Sequence, residues 1–576
     1  MSLLAGYYLR EADSAGADSA TRTEILHLLG ALSGARLHTV QSGRAFAAIA
    51  DLGCFDSPGF SSQPGVSHLA AAGHPYLRGA SGNRSAHAEA LRLRFDAGGA
   101  PALAQADGSW CGVHYGELTG RLTLAADKLG LRPLYYWESG SLVVFASALW
   151  ILERLSTVEK VLDFQGATES VCFGFPLARR SAYRHIRRLY SGEYVQLDGS
   201  TLASHRHTRL EHTPESTQPA GELAREAATA FGGAVRLRMA DHQAAIAFLS
   251  GGLDSRLVVA ALRQQGRQVA TYNFSLQETL DSILAARFAA AAQTTHFSGE
   301  WLIGSHVIDS LALAWRSQRP DFAVENPRQV WSGDGGSVGL GGVYVTPEIE
   351  RHLGGGRIAE ALHCYVRNAG ALLPARLYGR RVRSAAAVLP HLGVQEEFST
   401  LAASLPSLRA FFFFLLFNDQ RHHLSGFYES IHEHGYELHL PFFDGAFLET
   451  VARVPTRQML YHRFYSHVLA EFPPSTVSVP WQAYVDHDPC PLPMPEGAVK
   501  QWTGGFRTLV NAQKRKRLLE ALPVIEANRP PGFFNGLYLR TALAFYKAGF
   551  PRYDFAVQTA AGYARLLAVS GGRYAV

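Results

Sequence analysis

The chain has 576 residues, 47% of them hydrophobic and 18% charged, a balance that excludes wholesale disorder and leaves room for two to four domains. With 54 basic against 49 acidic residues the net charge is +5, too diluted over this length to mark a nucleic-acid-binding protein. The five cysteines (Cys54, Cys111, Cys172, Cys364, Cys490) form no C-x-x-C pair, which excludes a zinc ribbon, argues against a disulfide framework and fits the reducing cytoplasm. The start, MSLLAGYYLREAD, lacks a basic region followed by a long apolar run, so no secretory signal is read there.

In chain order, the first two hundred residues read as β-rich. Short apolar runs such as RLTLAADKLG, RPLYYW and SLVVFAS alternate with Gly, Asp and Ser turn signals. Residues 208–218 (TRLEHTPESTQ) are polar, contain a proline and are expected to link residues 1–207 to residues 219–576. Beyond them the texture turns Ala- and Leu-rich with helical spacing, as in GELAREAATAFGGAVRLRM. The most apolar stretch, Phe411 to Phe417, is far shorter than the roughly 20 residues a bilayer requires and predicts a buried helix segment rather than membrane insertion. The proline-rich stretch from Asp488 to Gly497 predicts a loop.

One motif carries chemistry by itself. The strand-like run AAIAFL leads into Ser250-Gly251-Gly252-Leu253-Asp254-Ser255 and then the helical run LVVAALRQQG. A strand, a glycine turn and a helix N-terminus make an anion site, because backbone N–H groups and the helix dipole converge on it. Ser250 and Ser255 add hydroxyls, and Asp254 offers a hard oxygen for Mg²⁺ bridging phosphates. No G-x-x-x-x-G-K-[ST] is present, so this is not a Walker A loop. A second glycine loop follows at Ser332-Gly333-Asp334-Gly335-Gly336-Ser337.

The S-G-G-x-D-S loop resembles the pyrophosphate loop of the ATP pyrophosphatases. With the second loop in this order, it resembles the synthetase domain of asparagine synthetases and β-lactam synthetases. The segment His434-Gly435-Tyr436-Glu437-Leu438-His439-Leu440-Pro441-Phe442-Phe443-Asp444 is similar to that family's G-x-E-x-R-x-P-F-L-D. Upstream, Ala126 to Tyr136 (ADKLGLRPLYY), Phe145-Ala146-Ser147 and Ile186 to Gly199 resemble class II glutaminase domains. The resemblance implies an α/β protein of two parts. The first is an N-terminal glutaminase-like αββα sandwich of the N-terminal-nucleophile type. The second is a C-terminal parallel-sheet domain of the adenine nucleotide α-hydrolase-like kind.

The resemblance also implies roles. Ser250, Gly251, Gly252, Leu253, Asp254, Ser255, Ser332 and Gly333 would hold ATP, Asp254 would hold Mg²⁺, and Asp334 would stand near the reacting carboxyl. Ser337 falls where the family has a metal-binding aspartate, which leaves the second Mg²⁺ ligand open. The family's pyrophosphate-stabilising lysine is missing from Tyr461-His462-Arg463-Phe464-Tyr465, leaving His462, Arg463 or the more distant Lys500 to supply the cation. The glutaminase cysteine is replaced by Ser2, and the glutamine clamp by Ala72-Gly73-His74-Pro75-Tyr76, so that domain is expected to be an inactive scaffold. An inactive glutaminase on a diverged synthetase is most similar to the lasso-peptide cyclases. These adenylate an Asp or Glu side chain of a precursor peptide and close a macrolactam on its N-terminal amine. The partners so implied are the precursor peptide, a leader peptidase and a leader-binding protein. The alternatives are a β-lactam synthetase-like or other small-molecule amide ligase, and a non-catalytic scaffold. The histidines from His422 to His439 lack H-E-x-x-H spacing and read as packing or surface groups, and Lys514 to Arg517 reads as a solvated helix face.

Overall fold

The computed structural model describes residues 1–10, 17–302, 305–370, 373–484, 487–499 and 504–576, with the side chains of 17, 18, 504–510 and 551 left undescribed. Lys500 lies outside the described residues.

The first two hundred residues fold as two stacked six-stranded antiparallel sheets. Strand Ser2–Leu9 shows why every residue of such a strand can be buried. Side chains alternate between faces. Leu4 and Tyr8 enter the core between the sheets with Ile49, Val113, Leu124, Phe145 and Val195. Leu3, Ala5, Tyr7 and Leu9 turn outward and join the core shared with the C-terminal part. Helix Ala17–Gly30 covers the outer face of one sheet, and helix Arg84–Gly98, capped by Asn83, covers the other. The result is the four-layer αββα sandwich of N-terminal-nucleophile glutaminase domains.

Residues 208–218 are docked rather than loose. Leu210 and Glu211 are buried. Glu215 receives hydrogen bonds from Arg409 and from both the amide and hydroxyl of Thr456.

The second part is built on a five-stranded sheet, parallel throughout, in the spatial order Thr295–Glu300, Gln268–Ser275, Ala244–Phe248, Gln329–Trp331, Glu437–His439. The chain builds outward from Ala244–Phe248 in one direction and then returns to the other side of it. The order therefore reverses between Ala244–Phe248 and Gln329–Trp331. In open parallel sheets such a switch point opens a crevice at the carboxyl ends of the two strands, and ligands bind there. The glycine loops that begin at Ser250 and Ser332 leave these two strands. Phe411 to Phe417 is fully buried, as its composition predicts, but its helix widens into a π-helical turn at Leu415–Gln420. Among the described residues no helix is long and apolar enough to cross a membrane.

A shared apolar core joins the two parts, and buried charges set their register. Asp127 accepts backbone hydrogen bonds from Trp110, Leu129, Gly130, Leu131 and Arg132, which shapes the loop ADKLGLRP. That loop aims Arg132 across the interface onto Glu437, and its guanidinium also lies 4.3 Å from the Tyr428 ring centre. Glu437 also faces the buried Met1 amine at 3.6 Å. Removing one partner of a buried ion pair strands the others in low dielectric and costs about 3–5 kcal/mol. Glu437→Gln, which leaves the buried Arg132 guanidinium facing a neutral amide, is expected to lose stability on that scale, read as a lowered midpoint in urea unfolding.

Candidate active site

Both glycine loops line one cavity of about 470 Å³ at the switch point. From the first loop it receives Ser250, Asp254 and Ser255, and from the second Ser332, Gly333, Asp334, Gly335 and Ser337. The helix Asp254–Gln264 begins here with no side chain capping it, so its first turn offers N–H groups and a positive dipole end to the cavity. The loops touch closely. A Cβ on Gly333 would collide with the Ser255 backbone, and one on Gly336 would sit 2.7 Å from the Asp254 carboxyl carbon. Only glycine fits at either place.

Ser337 donates twice to Asp254, from its hydroxyl at 2.7 Å and its amide at 3.0 Å. Burial pushes Asp254 up to about 6, while these two bonds hold it down. Ser250 is held by its amide and hydroxyl to the Ser255 hydroxyl, each at 2.9 Å, and Gly252 donates to the Ser250 hydroxyl. The Gly251 amide points instead to Asp281, 2.9 Å away, so it is already engaged. Asn273 orients that carboxylate from its other oxygen.

Asp334 accepts from the Ser332 hydroxyl at 2.5 Å and pairs with His423 at 2.9 Å. Burial opposes its charge, but the bond and charge of His423 outweigh it and hold Asp334 below the usual carboxylate range. His423 is raised in return by its bond to Asp334. Among the described residues the cavity lining contains no lysine or arginine, and His423 is its basic group.

The residues expected to supply a cation are placed otherwise. Arg463 does not line the cavity; its side chain is 60% exposed, lies over the Tyr461 ring and sits 3.8 Å from Asp488. His462 is buried against Tyr465 and Tyr484, and burial lowers it to about 4, so it is neutral at pH 7 and brings no charge. Its backbone, like that of Tyr461, is left-handed, with φ of 64° and 59°. This kink turns the next helix, Arg463–Ala470, so that Tyr465 lies beneath Asp254, whose charge adds to burial in pushing the Tyr465 phenol well above its ordinary value.

Sequence reasoning missed His423, Asp281 and Asn273. The histidine run hid His423, because neighbours on a helix point to different sides. His422 is buried and neutral between Arg188 and Arg421, and His434 and His439 bond to Asp309 and Gln329. For Asp281 the local signal was the Thr279–Ser282 capping box that starts its helix.

The donor set fits Mg²⁺. The ion takes one or two carboxylates and completes its shell with phosphate oxygens and waters. Asp254 supplies the carboxylate, and Ser337 supplies a hydroxyl where a second acid is expected.

The N-terminal pocket is filled by protein. Ser2 is fully buried, and its hydroxyl accepts from Arg84 at 2.6 Å and from the Gly73 amide at 3.3 Å. Arg84 also donates to the Ala71 and Gly73 carbonyls and stacks on Phe55. His74 stacks on Tyr76 at 3.7 Å. Beside His74, Tyr76 and the strand Glu437–His439 lies a cavity of about 20 Å³, room for one water.

The glutamine amidotransferase domain family matches residues 78–269, a span that runs from the sandwich through the first glycine loop. The chain is 24% identical over 293 residues to a glutamine-hydrolysing asparagine synthetase of Methanocaldococcus jannaschii, covering 47% of this chain and 55% of that protein. It thus spans about half the length of the curated relative it matches. Among solved structures, glutamine phosphoribosylpyrophosphate amidotransferase from B. subtilis with ADP and GMP aligns at 13% identity. That alignment covers 65% of this chain and 83% of that one, with a TM-score of 0.24. An allosteric regulatory enzyme of purine biosynthesis aligns at 14% identity, covering 64% and 79%, also with a TM-score of 0.24.

Ser337→Ala removes one of the donors that hold Asp254 down. A hydrogen bond to a charged group is worth roughly 1.5–3 kcal/mol, so the Asp254 midpoint should climb by about one to two units. Carboxyl ¹³C NMR through a pH titration reads this directly; an unchanged midpoint would remove Ser337 as its partner.

Proposed function

We propose that the chain is an ATP-dependent, AMP-forming amide ligase of the asparagine synthetase kind, acting on a precursor peptide. The observation that carries the reading is the convergence of both glycine loops, with Asp254 and Asp334, on one cavity at the switch point. In the proposed first step a substrate carboxylate oxygen bonds to the α-phosphorus of ATP, and pyrophosphate leaves with the electron pair of the broken P–O bond. Ser250, Gly252, Leu253, Ser255 and the helix N-terminus would cradle the phosphates, with Ser332 and Gly333 closing the other side. Mg²⁺ on Asp254, when bound, supplies charge neutralisation for the phosphates. In the second step an amine nitrogen bonds to the acyl carbon and AMP leaves with the C–O electron pair. Asp334, held by Ser332 and His423, would accept a hydrogen bond from the amine N–H and orient the nitrogen, and the proton released on amide formation would go to solvent. Positioning and electrostatics supply most of the rate.

The amine is proposed to come from the substrate itself. Ser2 stands where the glutaminase cysteine would, and its buried hydroxyl is engaged by Arg84, which favours an amine other than ammonia from glutamine. This favours an intramolecular reaction in which an Asp or Glu side chain of the peptide joins its own N-terminal amine to close a lasso-type macrolactam. A leader peptidase and a leader-binding protein would be the partners that expose the amine and deliver the peptide.

The test supplies the purified protein with ATP, Mg²⁺, the precursor peptide encoded beside its gene and the matching peptidase. Pyrophosphate release is expected with a peptide product one water lighter, and Asp254→Ala should reduce the rate by about 10²-fold or more. Pyrophosphate release with the peptide mass unchanged would move the substrate to a small molecule. No nucleotide turnover with any carboxylate would leave a scaffold.

A further inference from the structure

A second cavity of about 300 Å³ adjoins the first and shares Val343 and Tyr344 with it. Phe173, Phe175, Ile349 and Tyr365 make its walls largely aromatic and apolar, and Asp419 is its charged group. That carboxylate accepts a hydrogen bond from its neighbour Gln420 at 2.6 Å, and no lysine or arginine among the described residues forms an ion pair with it. Burial pushes it above the usual carboxylate range. The carboxylate is half-buried with His423 as a charged neighbour, and a cation entering the cavity would share its site.

The wall between the cavities is the π-helical turn Leu415–Gln420 and the residues after it. Asp419 faces the second cavity, whereas Gln420 and His423 face the first. Such turns are rare and frequent at functional sites, because the extra residue shifts which side chains share a face. One short segment thus joins the Asp334–His423 pair to a second carboxylate in an aromatic pocket, and His423 acts on both.

We infer that this second cavity is the acceptor subsite, which binds the amine half of the amide as an ammonium group on an apolar or aromatic residue. Asp419 pairs with the ammonium, and Tyr344 and Tyr365 add aromatic faces that favour a cation. The inference rests on the ligase reading for its role but on the cavity for its ligand.

The probe is 2-phenylethylammonium, an ammonium beside a single ring, with 2-phenylethanol as its neutral counterpart. Ligand-observed NMR on the full chain is expected to show the ammonium bound and the alcohol at least about tenfold weaker. Asp419→Asn, which keeps shape and removes charge, should weaken the ammonium by about tenfold and leave the alcohol unchanged. Ala369→Trp, placed at an exposed position on the cavity rim, should exclude both. Equal ammonium binding to the protein and to Asp419→Asn, or no binding to the unaltered protein, would overturn the inference whatever the enzyme does. Charge-dependent binding in a protein that releases no pyrophosphate would instead overturn the acceptor role through the ligase reading, with the cation site intact.

Discussion

The contact on which the rest depends is the one between the two glycine loops. Gly333 and Gly336 let the second loop lie directly on the first turn of helix Asp254–Gln264, and Ser337 closes the gap with two bonds to Asp254. Because each loop leaves a different strand, this contact fixes the crevice at the switch point as well as its contents. The same loop reaches further. The Ser332 amide donates to the His439 carbonyl at 3.1 Å, on the strand that carries Glu437. Glu437 in turn holds Arg132 and the Met1 amine. A continuous run of polar contacts therefore ties the catalytic candidate Asp334 to the sandwich more than a hundred residues away in sequence.

Buried arginines also organise the N-terminal domain and its seam with the second part. A buried arginine is affordable only with several acceptors, and Arg84 finds them in Ser2, Ala71 and Gly73, with Asp51 3.8 Å away. Burial still lowers its guanidinium to about 10. Arg132, Arg188 and Arg238 repeat the pattern along the seam, each bonded to groups in residues 421–444. These contacts specify geometry more than they add net stability, since desolvation offsets most of the Coulomb gain.

How much of this the residues disclosed depends on how local each signal is. The strand, glycine turn and helix around Ser250 were legible because all three lie within about twenty consecutive residues and obey local rules of backbone geometry. The sandwich strands were legible through their turn signals and alternation. The segment around Glu437 was legible as a family resemblance, and in it Asp444 both caps helix Gly445–Val451 and pairs with Arg238. What failed was anything set by the rotation of a helix. Arg463 and Tyr465 stand two apart, and the left-handed kink at Tyr461 and His462 sends the tyrosine inward and the arginine out. His422 and His423 differ by one position and serve opposite ends, one inert between arginines and one on Asp334. No periodicity assigns such neighbours to a site without the partner surfaces.

Ser337 shows how one departure from a family pattern reshapes a site. Two carboxylates packed against each other repel, and a cation must be present to hold them together. A serine there donates instead, so the loops stay closed on their own. Preorganisation gains, and cation affinity falls with the lost charge. In the proposed reaction, charge on departing phosphates would then fall to fewer groups, with the uncapped helix N-terminus first among them in the described cavity. His423 is the cavity's basic group, but its charge is already shared with Asp334, so the pair orders the second loop more than it replaces a lost cation.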